Sequence, residues 1–407
     1  MLRHRYLLAS VWLAFLLHSA AYCQLIPIWE GYDEWCHYAF IEHLRLSSSL
    51  PLTSERVTEE IRTSVQSATL RHEAADPMTL YEAQQPPLYY WVLSVPNRIF
   101  RSADIQTRVR RLRWLSVLMA SLVIPFAYLA ALELFHQRAL ALSVCALIAS
   151  MPGFMIDIAR IGNESLAVAL ASGIIWLLLR KDAPALGFVF GLALLTKVYF
   201  LMFVPVLILR RRFSALAIAI AGSGWWYWRS FRMTGTLTGE TLDVASTRLG
   251  LAARLAAAGK VHWLAVLDSA LWTHIWTGAW SFLVLRSWMY RVFETIYAIL
   301  ALALLTVLLR RPWGRCKRKL ALLCSLEAAF AAIIAYHALS IFMLKDLSFG
   351  PGWYFYVLIV AEALLLAAGL LILFGRGRVL LAIGTLISLF LALDAYSSIF
   401  VLARFYR

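Results

Sequence analysis

Apolar runs of membrane-spanning length recur from one end of this chain to the other. Residues 6–25, 113–135, 139–156 and 165–179 are the first of them. An α-helical span needs about 17 to 25 largely apolar residues. Across 407 residues, 62% of the side chains are hydrophobic and only 15% are charged, with a mean hydropathy of +0.73. No single water-soluble core can hide that much apolar surface. The expected class is therefore all-α: a polytopic integral membrane protein. The alternation of a transmembrane β-barrel is absent. The first run, preceded by Arg3, His4 and Arg5, is long and followed only by a weak cleavage pattern at residues 20–23, so it reads as a retained anchor.

The distribution of Arg and Lys sets the orientation. Basic clusters at residues 136–138, 180–181, 210–212, 310–319 and 376–378 belong on the cytoplasmic side together with the start of the chain. They share one side only if residues 184–209 form a hairpin of two short helices that turns near Thr196 and Lys197. That deduction gives eleven passes, puts the last residue outside and leaves Lys197 at intramembrane depth. The chain then divides into a first span at 1–26, an outer loop subdomain at 27–111, a bundle at 112–230, a second outer loop at 231–288 and C-terminal spans at 289–407. The first outer loop is expected to be mainly helical. Trp263, Trp272, Trp276, Trp280 and Trp288 in and beside the second suit the headgroup layer. Five cysteines are scattered without metal-ligand spacing, and no internal repeat is present.

Chemistry is expected at the outer mouth. Asp33 and Glu34 follow the first span within a few residues, in Pro27-Ile-Trp-Glu-Gly-Tyr-Asp-Glu-Trp-Cys-His37. A carboxylate pair there can deprotonate a hydroxyl or hold a metal, and it can equally be a helix-start pair stabilised by the macrodipole. His37 falls four residues after Asp33 and shares its face if the segment is helical. Arg98, Arg101, Arg108, Arg110, Arg111 and Arg113 crowd the end of the same loop. They are either lipid-headgroup partners or a phosphate grip.

These residues resemble the GT-C membrane glycosyltransferases, especially the protein O-mannosyltransferase and aminoarabinose transferase type. The resemblance rests on Asp33-Glu34, on Glu82-Ala-Gln-Gln-Pro-Pro-Leu-Tyr-Tyr90 and on Asn163-Glu164. It rests also on Gly191-Leu-Ala-Leu-Leu-Thr-Lys197 and Gly224-Trp-Trp-Tyr-Trp-Arg229. Gly352-Trp-Tyr354 looks like a degraded Gly-Arg-Tyr motif, with Trp353 where the family has Arg, and Ser230 stands where an Asn commonly follows the Arg.

The resemblance implies transfer of a sugar from a polyprenyl-phosphate carrier to a glycan, lipid or protein acceptor, with inversion, on the outer face of the cell inner membrane. Asp33 is the expected base, with Glu34 its partner or a metal ligand, and the two roles are exchangeable. Lys197 and Arg229 are expected to meet the carrier phosphate, with Arg71 and His72 as further phosphate or acceptor contacts. Gln85, Pro86, Tyr89, Tyr90 and Tyr354 are expected to shape the pocket. A divalent metal ion, with Glu34, His37 and Glu164 as candidate ligands, is the one cofactor the reading allows; neither a nucleotide cofactor nor a nucleic-acid partner is expected. The competing readings are a flippase or transporter for a lipid-linked sugar, and a glycan polymerase.

Overall fold

The computed structural model describes residues 2–47, 49–68, 70, 77–180, 183–310 and 314–406. Among these the chain is built of helices, and pairing outside them is limited to the isolated bridges Arg56 to Thr79 and Gly278 to Leu283. Five helices have the length and hydropathy to cross a membrane: His4–Leu25, Ile105–Phe135, Ser287–Leu309, Arg315–Lys345 and Gly352–Tyr406. A sixth candidate is the pair Arg138–Ala149 and Pro152–Ile158, bent by 66°. Pro152 begins the second half of that pair, and a residue preceding proline is disfavoured in the α region, so the helix breaks there. The 55-residue helix is two segments joined at Gly375, whose φ of 67° lies in the left-handed region open to glycine. Eleven passes require counting both of these segments, the helices Glu164–Arg180 and Phe213–Thr234, and two shorter apolar helices, Pro184–Leu194 and Val198–Leu209.

Those two short helices occupy the place where charge required a hairpin. Helix Ala183–Leu194 packs along helix Phe213–Thr234 with Gly187 against Ala215 and Gly191 against Ala219. Tyr227 Oη then donates to the Leu194 carbonyl at 2.9 Å. Both residue numbers rise together, so the two helices run parallel. The chain must return between them, and residues 198–209 carry it back. Small residues four apart on both partners let the backbones close up: a Cβ on Gly187 would stand 2.8 Å from the Ala215 carbonyl oxygen. The turn carrying Thr196 and Lys197 therefore stops about 10 Å short of the end of its partner helix, seven residues at 1.5 Å each.

Beyond the first span, helices Glu34–Leu46, Glu59–Gln66 and Leu88–Ile99 enclose a separate small core. Phe40 and Tyr90 stack at 3.9 Å within it, joined by Ile41, Ile61, Val65 and Leu93. Its edge is sealed by charge: Arg108 donates to Glu42 at 3.2 Å and to Glu60 at 2.5 Å, while Arg45 and Asn97 also reach Glu42. This redefines the arginine cluster. Arg108 and Arg113 are buried and consumed by carboxylates, Arg98 donates to the Leu44 carbonyl, and Arg111 stands over the Phe100 ring. Helices Thr241–Arg248, Gly250–Ala258 and Trp263–Ile275 lie between helix Phe213–Thr234 and helix Ser287–Leu309.

Candidate active site

Asp33 is the residue before helix Glu34–Leu46, with φ 53° and ψ 18° in the left-handed region, a conformation Asp tolerates better than most non-glycine residues. Its carbonyl accepts from the amides of Cys36 and His37, which starts the helix. Tyr81 Oη donates to its Oδ1 at 2.5 Å. The next residue, one step of about 100° around the helix, points elsewhere. Glu34 is fully buried and takes Arg113 as a fork, Nε to Oε1 at 2.6 Å and Nη2 to Oε2 at 2.6 Å. The amides of Trp29 and Ile161 add a donor to each oxygen, both at 3.0 Å. With four donors on two oxygens, Glu34 is held as a structural anion. The expectation that it acts as partner base or metal ligand is corrected by that geometry.

Asp33 instead shares a cavity of about 570 Å³ with Glu82, Gln85, Lys197, Glu240, His337 and Tyr354. The sequence motif contained Glu82 without giving it a role, and Glu240 comes from the turn before helix Thr241–Arg248, where no pattern marks it. Burial, then the charge of Asp33, raises the Glu82 carboxyl to about 8. Burial raises Glu240 as well, with Lys197 and the hydrogen bond from Gln85 opposing. His37 is held well below the usual imidazole range by burial and by the cations Arg160 and Lys197.

Lys197 is ion-paired with Glu164 and stands 5.3 Å and 5.2 Å from the ring centres of Tyr199 and Tyr354. Glu164 also meets Arg160 at 3.0 Å, and Arg160 meets Asp157 at 3.0 Å. Asp157, Arg160 and Glu164 thus form a buried ladder beside the lysine. Neither Asp157 nor Arg160 was singled out in the sequence, although their i, i+3, i+7 spacing with Glu164 at the mouth of a span is a usable signal.

The remaining expected residues divide. Gln85 bridges Asn163 at 3.3 Å and Glu240 at 3.4 Å on the cavity wall. Pro86 and Tyr89 are buried and do not line the cavity; Tyr89 Oη is held by Ser116 and by the Gly162 amide, fixing one loop to another. Tyr90 is likewise core, bonded to His37 Nδ1 at 2.8 Å. Arg71 and His72 lie outside the described residues.

Arg229 is not in the Asp33 cavity. It stands over Trp226 at 5.1 Å and lines an adjoining cavity of about 260 Å³ with Arg248, Thr53 and Thr234. Gln84 and Thr241 line both cavities, and Thr241 donates to Gln84 Oε1 from its amide at 2.7 Å and its hydroxyl at 3.0 Å. The first cavity sets Asp33, Glu82 and Glu240 against Lys197 and Lys345. Its neighbour is basic.

The candidate metal ligands are not brought together. Glu34 belongs to Arg113, Glu164 to Arg160 and Lys197, and His37 to Tyr90. Among the described residues no three His, Cys, Asp or Glu side chains form a group able to hold a metal ion. These residues as placed do not fit a divalent ion, and no step below is routed through one.

No family model matches the chain, and no curated protein matches its sequence. Solved structures do share its fold. ArnT from Cupriavidus metallidurans, bound to undecaprenyl phosphate, aligns with a TM-score of 0.51 at 14% identity over 90% of this chain and 59% of its own. The Archaeoglobus fulgidus oligosaccharyltransferase, in complex with Zn and sulfate, gives 0.52 at 15% identity over 94% of this chain and 53% of its own. The oligosaccharyltransferase AglB of the same archaeon, with an inhibitory peptide and a dolichol-phosphate, gives 0.52 at 15% over 98% and 55%. The chain spans little more than half the length of the structures it matches. In backbone architecture it shares the fold of these ArnT and oligosaccharyltransferase structures.

Proposed function

We propose that this protein is a membrane glycosyltransferase that moves a sugar from a polyprenyl-phosphate carrier to an acceptor on the extracytoplasmic face of the inner membrane. One observation supports the reading: Asp33, set by a left-handed backbone between the first span and helix Glu34–Leu46, and Lys197, on the turn between two short helices, line one cavity. The acceptor oxygen attacks the anomeric carbon, the bond from that carbon to the phosphate oxygen breaks, and the phosphate leaves with the electron pair. Asp33 takes the acceptor's proton. Tyr81, donating to Oδ1, orients the carboxylate in the cavity. The donor lies across the divide formed by Gln84 and Thr241, its sugar among the carboxylates and its phosphate toward Arg229 and Arg248, where guanidinium forks suit phosphate oxygens. Lys197 approaches from the other cavity, its charge already balanced by Glu164.

Solved relatives of the fold were captured with undecaprenyl phosphate and with a dolichol-phosphate, which supports a carrier of this chemistry. The test is reconstituted protein supplied with polyprenyl-phosphate sugars. The expected outcome is acceptor-dependent release of free polyprenyl phosphate. Movement of the intact carrier across the bilayer, without release, would make the protein a transporter instead.

A further inference from the structure

A cavity of about 380 Å³ lies apart from both of these, between helices Trp263–Ile275, Ser287–Leu309, Arg315–Lys345 and Ile359–Tyr396. Its walls are mostly hydrocarbon and aromatic. Trp263 and Leu267, 41% and 56% exposed, stand at its rim. Ile334 separates it from the Asp33 cavity, lining both.

Four polar side chains interrupt the apolar lining, and three of them satisfy one another. His274 Nε2 lies 3.0 Å from Glu362 Oε2, its Nδ1 faces the Gly352 carbonyl at 3.3 Å, and Tyr297 Oη donates to Glu362 Oε1 at 2.5 Å. Both imidazole nitrogens thus face acceptors. Either an imidazolium meets a carboxylate, or a neutral ring meets a carboxylic acid; the pair is neutral in both cases. Glu327 has no such arrangement. No hydrogen bond or ion pair reaches it from the described residues, and its Oε1 is buried. It sits twelve residues into its helix, about 18 Å from Arg315 at 1.5 Å per residue, where an unpaired acid is costly and marks a site.

We propose that this cavity is a binding site for a cationic amphiphile, its ammonium group against Glu327 and its hydrocarbon along Val266, Leu271 and Ile334. An ammonium holds Glu327 as its carboxylate by direct ion pairing, and the aromatic rings of Tyr297 and Phe355, which line the same cavity, attract it further. A neutral alcohol gains only the apolar contact, and an anion is repelled.

The test is equilibrium binding of radiolabelled dodecyltrimethylammonium to the purified full chain in dodecyl maltoside. The expected result is saturable one-to-one binding, at least about tenfold weaker in Glu327→Gln and lost in Leu271→Trp, which fills the cavity while keeping the acid. Dodecanol and dodecyl sulfate should compete poorly. Equal binding by Glu327→Gln, equal competition by dodecanol, or retained binding by Leu271→Trp would overturn the site. Displacement by undecaprenyl phosphate would give the cavity to the carrier lipid and overturn the cationic assignment, while leaving the proposed transfer reaction standing.

Discussion

Asp33 and Glu34 are neighbours in the chain and opposites in the fold. Asp33 faces a cavity with Glu82 and Glu240 around it, where burial raises both glutamate carboxyls and the charge of Asp33 raises Glu82 further. Glu34, one residue on, is locked among Arg113 and two backbone amides with nothing left to offer a substrate. Frustrated charge facing a cavity can do chemistry, whereas satisfied charge inside a knot of loops positions backbone. The knot joins the end of the first span, the start of helix Glu34–Leu46, the helix bearing Arg113 and the loop before Glu164. It is the frame that holds Asp33 at the cavity.

The contrast is tested hardest at its two centres. Asp33→Asn keeps the shape and removes the base, so polyprenyl phosphate release should fall by about 10²- to 10⁴-fold with the melting temperature unchanged. Arg113→Met should do the reverse kind of damage. It strands Glu34 without its cation, which costs about 3–5 kcal/mol of stability and shows as loss of monodisperse protein on size exclusion. Adding Glu34→Leu to Arg113→Met should restore part of that loss, because a buried pair can be replaced by apolar contact while a lone buried charge cannot be tolerated.

The scaffold that presents Lys197 gives a smaller effect. Gly187→Ala drives a Cβ to 2.8 Å from the Ala215 carbonyl oxygen and should destabilise by about 1–3 kcal/mol, whereas Gly191→Ala, at 3.4 Å from Ala219, should be tolerated in a thermal melt. In the basic cavity, Arg229→Gln should raise the donor concentration needed for half-maximal rate by about tenfold and lower turnover less. Unchanged donor dependence would remove Arg229 from the phosphate path.

The smallest effect concerns Glu82. Its folded pKa, about 8, lies above the ordinary 4.5, so its contribution to stability is fully present below pH 4.5 and is lost as pH rises toward 8. Gln carries no such loss. Melting curves of wild type and Glu82→Gln should keep a constant offset below pH 4.5 and shift in the variant's favour between pH 4.5 and 8.

Much of this was legible in the residues. Hydropathy marked the helical membrane class, and the distribution of basic loops located a turn at Thr196 and Lys197 that parallel packing of the flanking helices requires independently. Asp33 stood out as one of a pair of acids soon after the first span, and it lines a cavity with Lys197. Glu34 was misread because adjacency in sequence carries no helix phase. Until the helix is known to start at Glu34, two consecutive carboxylates look interchangeable. That Arg229 lines a separate cavity from Asp33 could not be read, because the divide between them is made by Gln84 and Thr241, 157 positions apart, a contact with no local signature. Glu240 was invisible for the same reason. The arginine cluster was read as facing outward to lipid or phosphate because its partners Glu34, Glu42 and Glu60 lie 48 to 79 positions away.

The central claim is that Asp33 carries the chemistry and Glu34 the architecture. It is tested most directly by polyprenyl phosphate release per folded molecule, measured side by side in Asp33→Asn and Glu34→Gln. Asp33→Asn is expected to fold in full and release almost nothing, while the diminished folded fraction of Glu34→Gln works at close to the wild-type rate. Normal release by folded Asp33→Asn, or an inactive but stable Glu34→Gln, would contradict it.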